Sequence, residues 1–449
     1  MQRRTFLTAA AATPVALAFT GRIAVAAAIE AGDGPYGPLS STPDALGLLL
    51  PDGFSARLLA SAGEVVAGTS YEWHVFPDGG ACFDTDGGGW IYVSNSEAGP
   101  NTSGAGAIAF DADGAIVDAN PILTGSTRNC GGGLTPWGTW LSGEEVEGGK
   151  VWECDPRGEQ DALDRAALGR FIHEAVCVDP DRGHVYLTED APDGRLYRFT
   201  PDAYRDLETG VLEVAAVANG AVEWLAVPDP SAAETPTRHQ VPESTAFIGG
   251  EGIWHRDGVV WFVTKGDHGV WKLDVDAQTI EQIYKGVDDD IVLGEPDNVT
   301  ITSFGDVLVC EDQSEDQQVV LITAEGVIAP ILQLTGQSGS ELAGVAMNPA
   351  GDRMYVSSQR GGPSGAGLTY EISGPFRVAE PEPATTTVAT STPSVSPTTR
   401  AIAAATTAGA ADGSDDSTSP IVPIGIGGAL IAAIGVAVYR LRNRANPNP

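Results

Sequence analysis

Trp90-Ile91-Tyr92-Val93-Ser94-Asn95 is a short apolar run that ends in polar residues, and its pattern returns five times along the chain. The later copies are Thr139-Trp140-Leu141-Ser142-Gly143-Glu144, Val185-Tyr186-Leu187-Thr188-Glu189 and Trp261-Phe262-Val263-Thr264-Lys265. Val307-Leu308-Val309-Cys310-Glu311 and Met354-Tyr355-Val356-Ser357-Ser358 complete the set. Measured between Tyr92, Trp140, Tyr186, Phe262, Leu308 and Tyr355, the steps are 48, 46, 76, 46 and 47 residues. Turn signals such as Asp86-Gly87, Asp257-Gly258 and Gly351-Asp352 precede them. Short strands repeating at roughly 40–50 residues are the signature of propeller blades, each about four antiparallel strands packed radially around a channel. The sequence predicts an all-β, six-bladed β-propeller with one long insertion in the third step. A large sandwich with incidental regularity would not keep the spacing. Helical character is confined to residues 161–168 and a short piece near Asp202.

The 449 residues carry 60 acidic and 25 basic side chains, a formal charge of −35. Such a surface repels phosphate backbones, so nucleic-acid binding is excluded as a function, and it favours holding cations. Apolar residues are 42% of the chain, enough for a sizeable core, and 56 Gly with 30 Pro argue for turns over long helices. Cys82, Cys130, Cys154, Cys177 and Cys310 are an odd number without a CxxC pair, so neither a dense disulfide framework nor a structural zinc site is expected. GxSxG, HExxH and Walker patterns are absent.

The two ends read as addresses. Arg3-Arg4 ahead of Phe6-Leu7 and an Ala-rich run resembles a twin-arginine export signal over residues 1–26, with Ala24-Val25-Ala26 as cleavage site. An ordinary secretory signal is the bland alternative. Residues 36–377 hold the propeller, and 378–420 form a Thr/Pro/Ala/Ser-rich disordered stalk. Ile421 to Tyr439 is an uncharged, mostly apolar stretch of bilayer-spanning length. Arg440, Arg442 and Arg444 open a basic cytoplasmic tail, 440–449. These readings give an exported monomer anchored in the cell membrane by one C-terminal helix, with the propeller outside.

The repeat also predicts where polar groups gather. The residues leading into the first strands are Asp78, Asn129-Cys130, Glu174, Glu251, Asp297-Asn298 and Glu341. The second strands run out into Asn95 and Glu97, Glu144-Glu145, Glu189-Asp190, Asp267, Glu311-Asp312 and Gln359. In a hairpin these two sets lie at the same edge, so a ring of hairpins brings them to one channel mouth. Crowded carboxylates repel or take up protons unless cations join them. Oxygen ligands suit Ca²⁺, and a Cys130 thiolate favours a transition metal such as iron. Turn capping by scattered acids is the competing explanation, but Glu, a poorer turn-former than Asp, recurs at equivalent points. His173 is a candidate ligand or acid. Gly131-Gly132-Gly133 reads as a flexible lead into a strand, and Trp137, Trp140, Trp254, Trp261 and Trp271 as packing between blades.

Asn129-Cys130-Gly-Gly-Gly-Leu134-Thr135-Pro136-Trp137-Gly138-Thr139-Trp140-Leu141 with Glu144-Glu145 resembles the signature segment of PhoX-type alkaline phosphatases. His173-Glu174, Tyr186-Leu187-Thr188-Glu189-Asp190, Glu251-Gly252-Ile253-Trp254, Pro296-Asp297-Asn298 and Cys310-Glu311-Asp312 follow in the family's order, as do Glu341 and Gln359. The resemblance covers residues 36–376. It implies twin-arginine export, a six-bladed propeller and hydrolysis of small phosphomonoesters at a cluster of Ca²⁺ and Fe³⁺ ions that bind the phosphate and activate a nucleophile. By position it implies Cys130, Glu174 and Glu251 as iron-type ligands, with Glu174 and Glu251 in the catalytic set. Asn95, Glu97, Glu144, Glu145, Glu189, Asp190, Asp297, Asn298, Glu311, Asp312 and Glu341 are the further metal candidates. The family often has an arginine just ahead of the Glu251 position, where Gly249-Gly250 stand here. Arg238 is the first substitute to grip phosphate, with Arg170 and Lys265 behind it. Where the family has a Cys beside Glu144, Gly143 stands here. Two other functions remain open: a metal-stabilised propeller that binds a partner without catalysis, and a lactonase-like hydrolase.

Overall fold

The computed structural model describes residues 29–379, apart from 287–290 and 314. The stretches read as signal peptide, membrane helix and basic tail, and nearly all of the stalk, lie outside these residues. Among the described residues no helix is long and apolar enough to cross a membrane.

The chain is all-β and propeller-like. Each repeated apolar run is the second strand of an antiparallel series that starts with a buried inner strand. The inner strands are Pro77–Asp84, Asn129–Leu134, His173–Asp179, Gly250–Arg256, Pro296–Ile301 and Leu342–Met347. The strands form five sheets. The third and fourth series share one nine-stranded sheet because Ala221–Ala226, from the long insertion, bridges to Thr279–Lys285. Ser55–Ser61 pairs with Leu368–Ser373, so an N-terminal strand completes the last series. Each inner strand touches the next, and Leu342–Met347 touches Pro77–Asp84.

Local sequence explains the hairpins. Asp257 and Gly258 both have positive φ, and Arg256 pairs with Val259 around them. That two-residue turn matches the right-handed twist of its strands, and Asp-Gly is among the dipeptides that populate it. Asn219-Gly220 does the same between Gly210–Ala218 and Ala221–Ala226. The helical expectation fares less well. Residues 161–168 yield only a two-residue strand, Leu163–Asp164, and a 3-10 turn, Ala166–Leu168. The segment near Asp202 is turn, and the second 3-10 piece lies at Thr237–His239.

The core lies between neighbouring sheets. Tyr92 stacks on Tyr355 of the neighbouring sheet with ring centroids 4.6 Å apart, and Trp90 on its cross-strand partner Phe110 at 5.0 Å. Within one sheet the half-buried Trp271 stacks on its cross-strand partner Phe262 at 5.9 Å. Burying each such side chain contributes about 2–3 kcal/mol from area alone. Trp140 is buried, and its indole N–H donates to Asn95 Oδ1 across two series. Along the axis the inner strands leave a cavity of only about 20 Å³, lined by Gly79, Gly131, Gly252 and Gly344 among others. That is room for about one water, so the bore is packed.

Candidate metal centre

Every inner strand carries a β-bulge at the same place. Pro77 pairs with Ser96 and Gly80 with Ser94, three residues against two. The same count recurs between Asn129 and Gly132, His173 and Val176, Gly250 and Ile253, Pro296 and Val299, and Ala343 and Ala346. A bulge bends its strand and re-aims a side chain. The first unpaired residue is Asp78, Cys130, Glu174, Glu251 and Asp297 in turn, and Gly344 in the last strand. All five side chains are buried. In all five the next residue is Gly, Ala or Asn, which lets adjacent inner strands close up. A Cβ on Gly131 would stand 2.6 Å from the Glu174 carbonyl oxygen.

Ligand atoms of the bulge residues and their neighbours come together in three groups, each within 4.8 Å: Cys130, Glu145 and Glu174; Glu174, Glu251 and Asp297, which share Glu174; and separately Asp78, Glu97 and Glu341. Both Glu174 carboxylate oxygens are buried without a hydrogen-bond donor. Glu251 Oε1 also lacks a hydrogen bond of good geometry, although Lys265 Nζ lies 3.3 Å away. Buried carboxylate oxygens without partners are costly, and a cation among them removes the cost. The donor set fits the ions expected: thiolate plus carboxylates for iron, oxygen alone around Asp78 for calcium.

Electrostatics point the same way. Burial, then Glu251 and Asp297, pushes the Glu174 carboxyl well above its ordinary value. Glu251, Asp297 and Glu341 are also raised well up, chiefly by burial. Burial and then Glu97 take Asp78 to about 6. Burial takes Glu145 to about 8, against the pull of Arg128. Burial, Asp78 and Glu174 hold the Cys130 thiol high. Lys265 behaves inversely: burial works against its charge, but Glu251, Asp297 and Asp312 outweigh it and raise its pKa.

These shifts set a pH dependence. A carboxyl with a raised folded pKa keeps its proton after the unfolded chain has released one, so the unfolded state gains as pH rises between the two values. For Asp78 the window runs from 3.8 to about 6, and for Glu145 from 4.5 to about 8. The Tm of chelator-treated protein is expected to fall between pH 5 and pH 8, by on the order of 5 °C, and the metal-loaded protein to show little of this slope. A chelator-treated Tm that rises across this range would contradict the electrostatic picture.

Other expected ligands are otherwise engaged. Asn95 donates to the Cys130 and Gly131 carbonyls and accepts from Trp140 and Ser142, which clips the second strand of the first series to the first two strands of the second. Glu144 accepts from Thr127 N, Lys150 N and Trp152 Nε1. Glu189 binds Tyr197 and Arg238, and Glu311 binds Gly294 N, Gln313 and Gln318 N. These three glutamates fasten their own series together. Asn298 accepts from Gly344 N and donates to Asp297 at the bore. Asp312 meets Lys265 at 3.1 Å, and its charge adds to burial in raising the Glu341 carboxyl. Asp190 lies beside Gly249 and adds to the field on Glu251.

Arg238 is not brought to these groups: Glu147, Glu189 and Asp193 hold its guanidinium. Arg170 pairs with Asp164. His173 is fully buried against Phe171, and its Nε2 faces the Gly169 carbonyl at 3.2 Å; burial lowers its pKa to about 3. It is a neutral packing residue. The cations at the mouth are Lys265, Arg128 and Arg360. Arg128 contacts Glu97 and Glu145; Arg360 contacts Glu97 and Glu341. A search of the sequence for acids misses these two arginines, although Arg128 lies two residues before Cys130 and Arg360 directly follows Gln359, a polar residue expected at the mouth. All five cysteines are free.

Among curated proteins no sequence matches the chain. Among solved structures, that of Pseudomonas fluorescens PhoX in complex with vanadate, a transition-state analogue, aligns with TM-score 0.61 at 15% identity, over 78% of this chain and 98% of that one. A gluconolactonase from Xanthomonas campestris aligns at TM-score 0.40 and 13% identity, over 76% and 98% of the two chains, too distant to bear on chemistry. The family model described as alkaline phosphatase PhoX matches residues 98–152, 147–269 and 255–362, more than half of the sequence. With its ordered motifs on one face of a propeller-like fold, the chain belongs to the PhoX alkaline phosphatase family.

Proposed function

We propose that this protein is an exported, surface-anchored phosphomonoesterase whose six four-stranded series are six blades around a calcium- and iron-holding mouth. One observation carries the reading: Glu174, fully buried and without a donor to either oxygen, stands in two overlapping ligand groups. Cys130, Glu145, Glu174, Glu251 and Asp297 would hold iron, and Asp78, Glu97 and Glu341 calcium. When bound, the ions supply Lewis acidity and offset the charge of the phosphoryl group.

The chain's own residues prepare that site. The bulges aim the ligands, and the packed bore admits substrate from the mouth alone. Lys265 spans Glu251 and Asp312 and keeps part of the acid charge compensated. Arg238 fastens the insertion to Glu147 and Glu189, which keeps that rim in place. The twin-arginine signal, stalk and C-terminal anchor would set the propeller on the outer surface.

The soluble region, purified without chelators, is expected to release p-nitrophenol from p-nitrophenyl phosphate at alkaline pH. Chelation should remove at least about 99% of the rate, and re-adding calcium and iron should restore it. Metal-replete protein without turnover at any pH would sink the reading and leave a ligand-binding propeller.

A further inference from the structure

Arg128 and Arg360 stand among the clustered carboxylates, yet their side chains remain 43% and 41% exposed. Each spans two carboxylates, and they share one: Arg128 Nη2 contacts Glu97 Oε1, and Arg360 Nη2 lies 3.2 Å from Glu97 Oε2. The two oxygens of one oxyanion thus already join the two guanidiniums. A phosphoryl group offers a similar pair of oxygens, and guanidinium forks suit them. Arg128 Nη1 and Arg360 Nε meet no acceptor among the described residues, so each head keeps donors for a further anion.

Both arms are braced. Arg128 N donates to the Ala98 carbonyl, and the Arg128 carbonyl accepts from Glu145 N. Its φ is +46°, as Phe76, Gly249 and Glu295 are also positive at the matching place, two residues before the bulge. Arg128 thus occupies in the second series the position that Gly249 leaves without a side chain in the fourth. Arg360 follows Gln359, whose amide donates to Asp78, and Arg360 N donates to Ser340 Oγ. Such bracing fixes the backbone from which each side chain projects, and Glu145 and Glu341 hold the heads.

We propose that Arg128 and Arg360 form a two-guanidinium clamp for the phosphoryl group of the substrate, with Glu97 as its internal placeholder; this deepens the phosphatase reading and rests on it. Cation binding at Asp78, Glu97 and Glu341 would draw Glu97 away from the arginines and leave their donors to the incoming anion.

The test uses metal-loaded protein with Arg128→Gln, Arg128→Lys, Arg360→Gln and, as a control, Arg198→Gln, whose partner Glu213 lies on an outer strand. Metal content and Tm are recorded for each. Two readouts are compared: KM for p-nitrophenyl phosphate, and the Kd of inorganic phosphate by calorimetry. R128Q and R360Q should each raise both constants at least about tenfold, R128K should recover part of the loss, and R198Q should match wild type. Wild-type turnover with unchanged KM and Kd in R128Q and R360Q would overturn the clamp and leave the phosphatase standing. Phosphate binding weakened in those variants, in a protein that turns nothing over, would support the clamp and end the phosphatase reading. Lost metal or kcat with unchanged phosphate affinity would make the arginines mere braces for Glu97, which also overturns it.

Discussion

Glu174→Gln is expected to lower phosphomonoester turnover about a thousandfold, yet to make the metal-free protein more stable at pH 8. The two effects share one cause. Glu174 lies in both the Cys130 group and the Glu251 group, so neutralising it weakens two ligand sets at once. Several kcal/mol of lost charge stabilisation corresponds to about three orders of magnitude in rate. Without metal the same carboxylate is a liability, buried, donorless and beside Glu251 and Asp297. Glutamine keeps the shape and removes the charge, and its amide can donate to those neighbours. Turnover, bound metal and Tm in chelator check this together. Wild-type metal content in the variant would remove Glu174 from the ligand set.

The second large effect concerns packing. A Cβ on Gly133 would lie 1.7 Å from the Val176 carbonyl oxygen, on the next inner strand. Neither backbone can yield without disturbing the strands that meet around the bore. Gly133→Ala should therefore cost about 3 kcal/mol or more and lower Tm by about 5 °C. Thermal unfolding with and without metals measures it; a variant within 1 °C of wild type would show that the inner strands are not locked. Gly131→Ala is placed to damage the site as well, since its Cβ would meet Glu174 Oε1 at 2.6 Å.

Those glycines show where reading the chain alone stops. Gly131-Gly132-Gly133 reads in sequence as a flexible lead into a strand, whereas the fold uses it as a tight one, because neighbouring inner strands approach closer than a methyl allows. The acids were legible as a set, since Glu and Asp recur at fixed places in the repeat. Their division was not. Glu144, Glu189 and Glu311 turn to backbone N–H groups and side chains of their own series, whereas Cys130, Glu174, Glu251 and Asp297 turn inward. A sequence signal for the inward set did exist: Cys130-Gly131, Glu174-Ala175 and Glu251-Gly252 each place a ligand before a small residue.

The sequence by itself determined the repeat, the all-β class, the acidic mouth and the family, because period, turn dipeptides and motif order are local or evenly spaced and survive in one dimension. Only the tertiary structure decided which acids face each other and which cations reach them. A bulge shifts pairing by a single residue, and Arg128, Glu97 and Arg360 come from three different series. Which side chains share a buried space depends on how the ring closes, and ring closure is a long-range property that no local window contains.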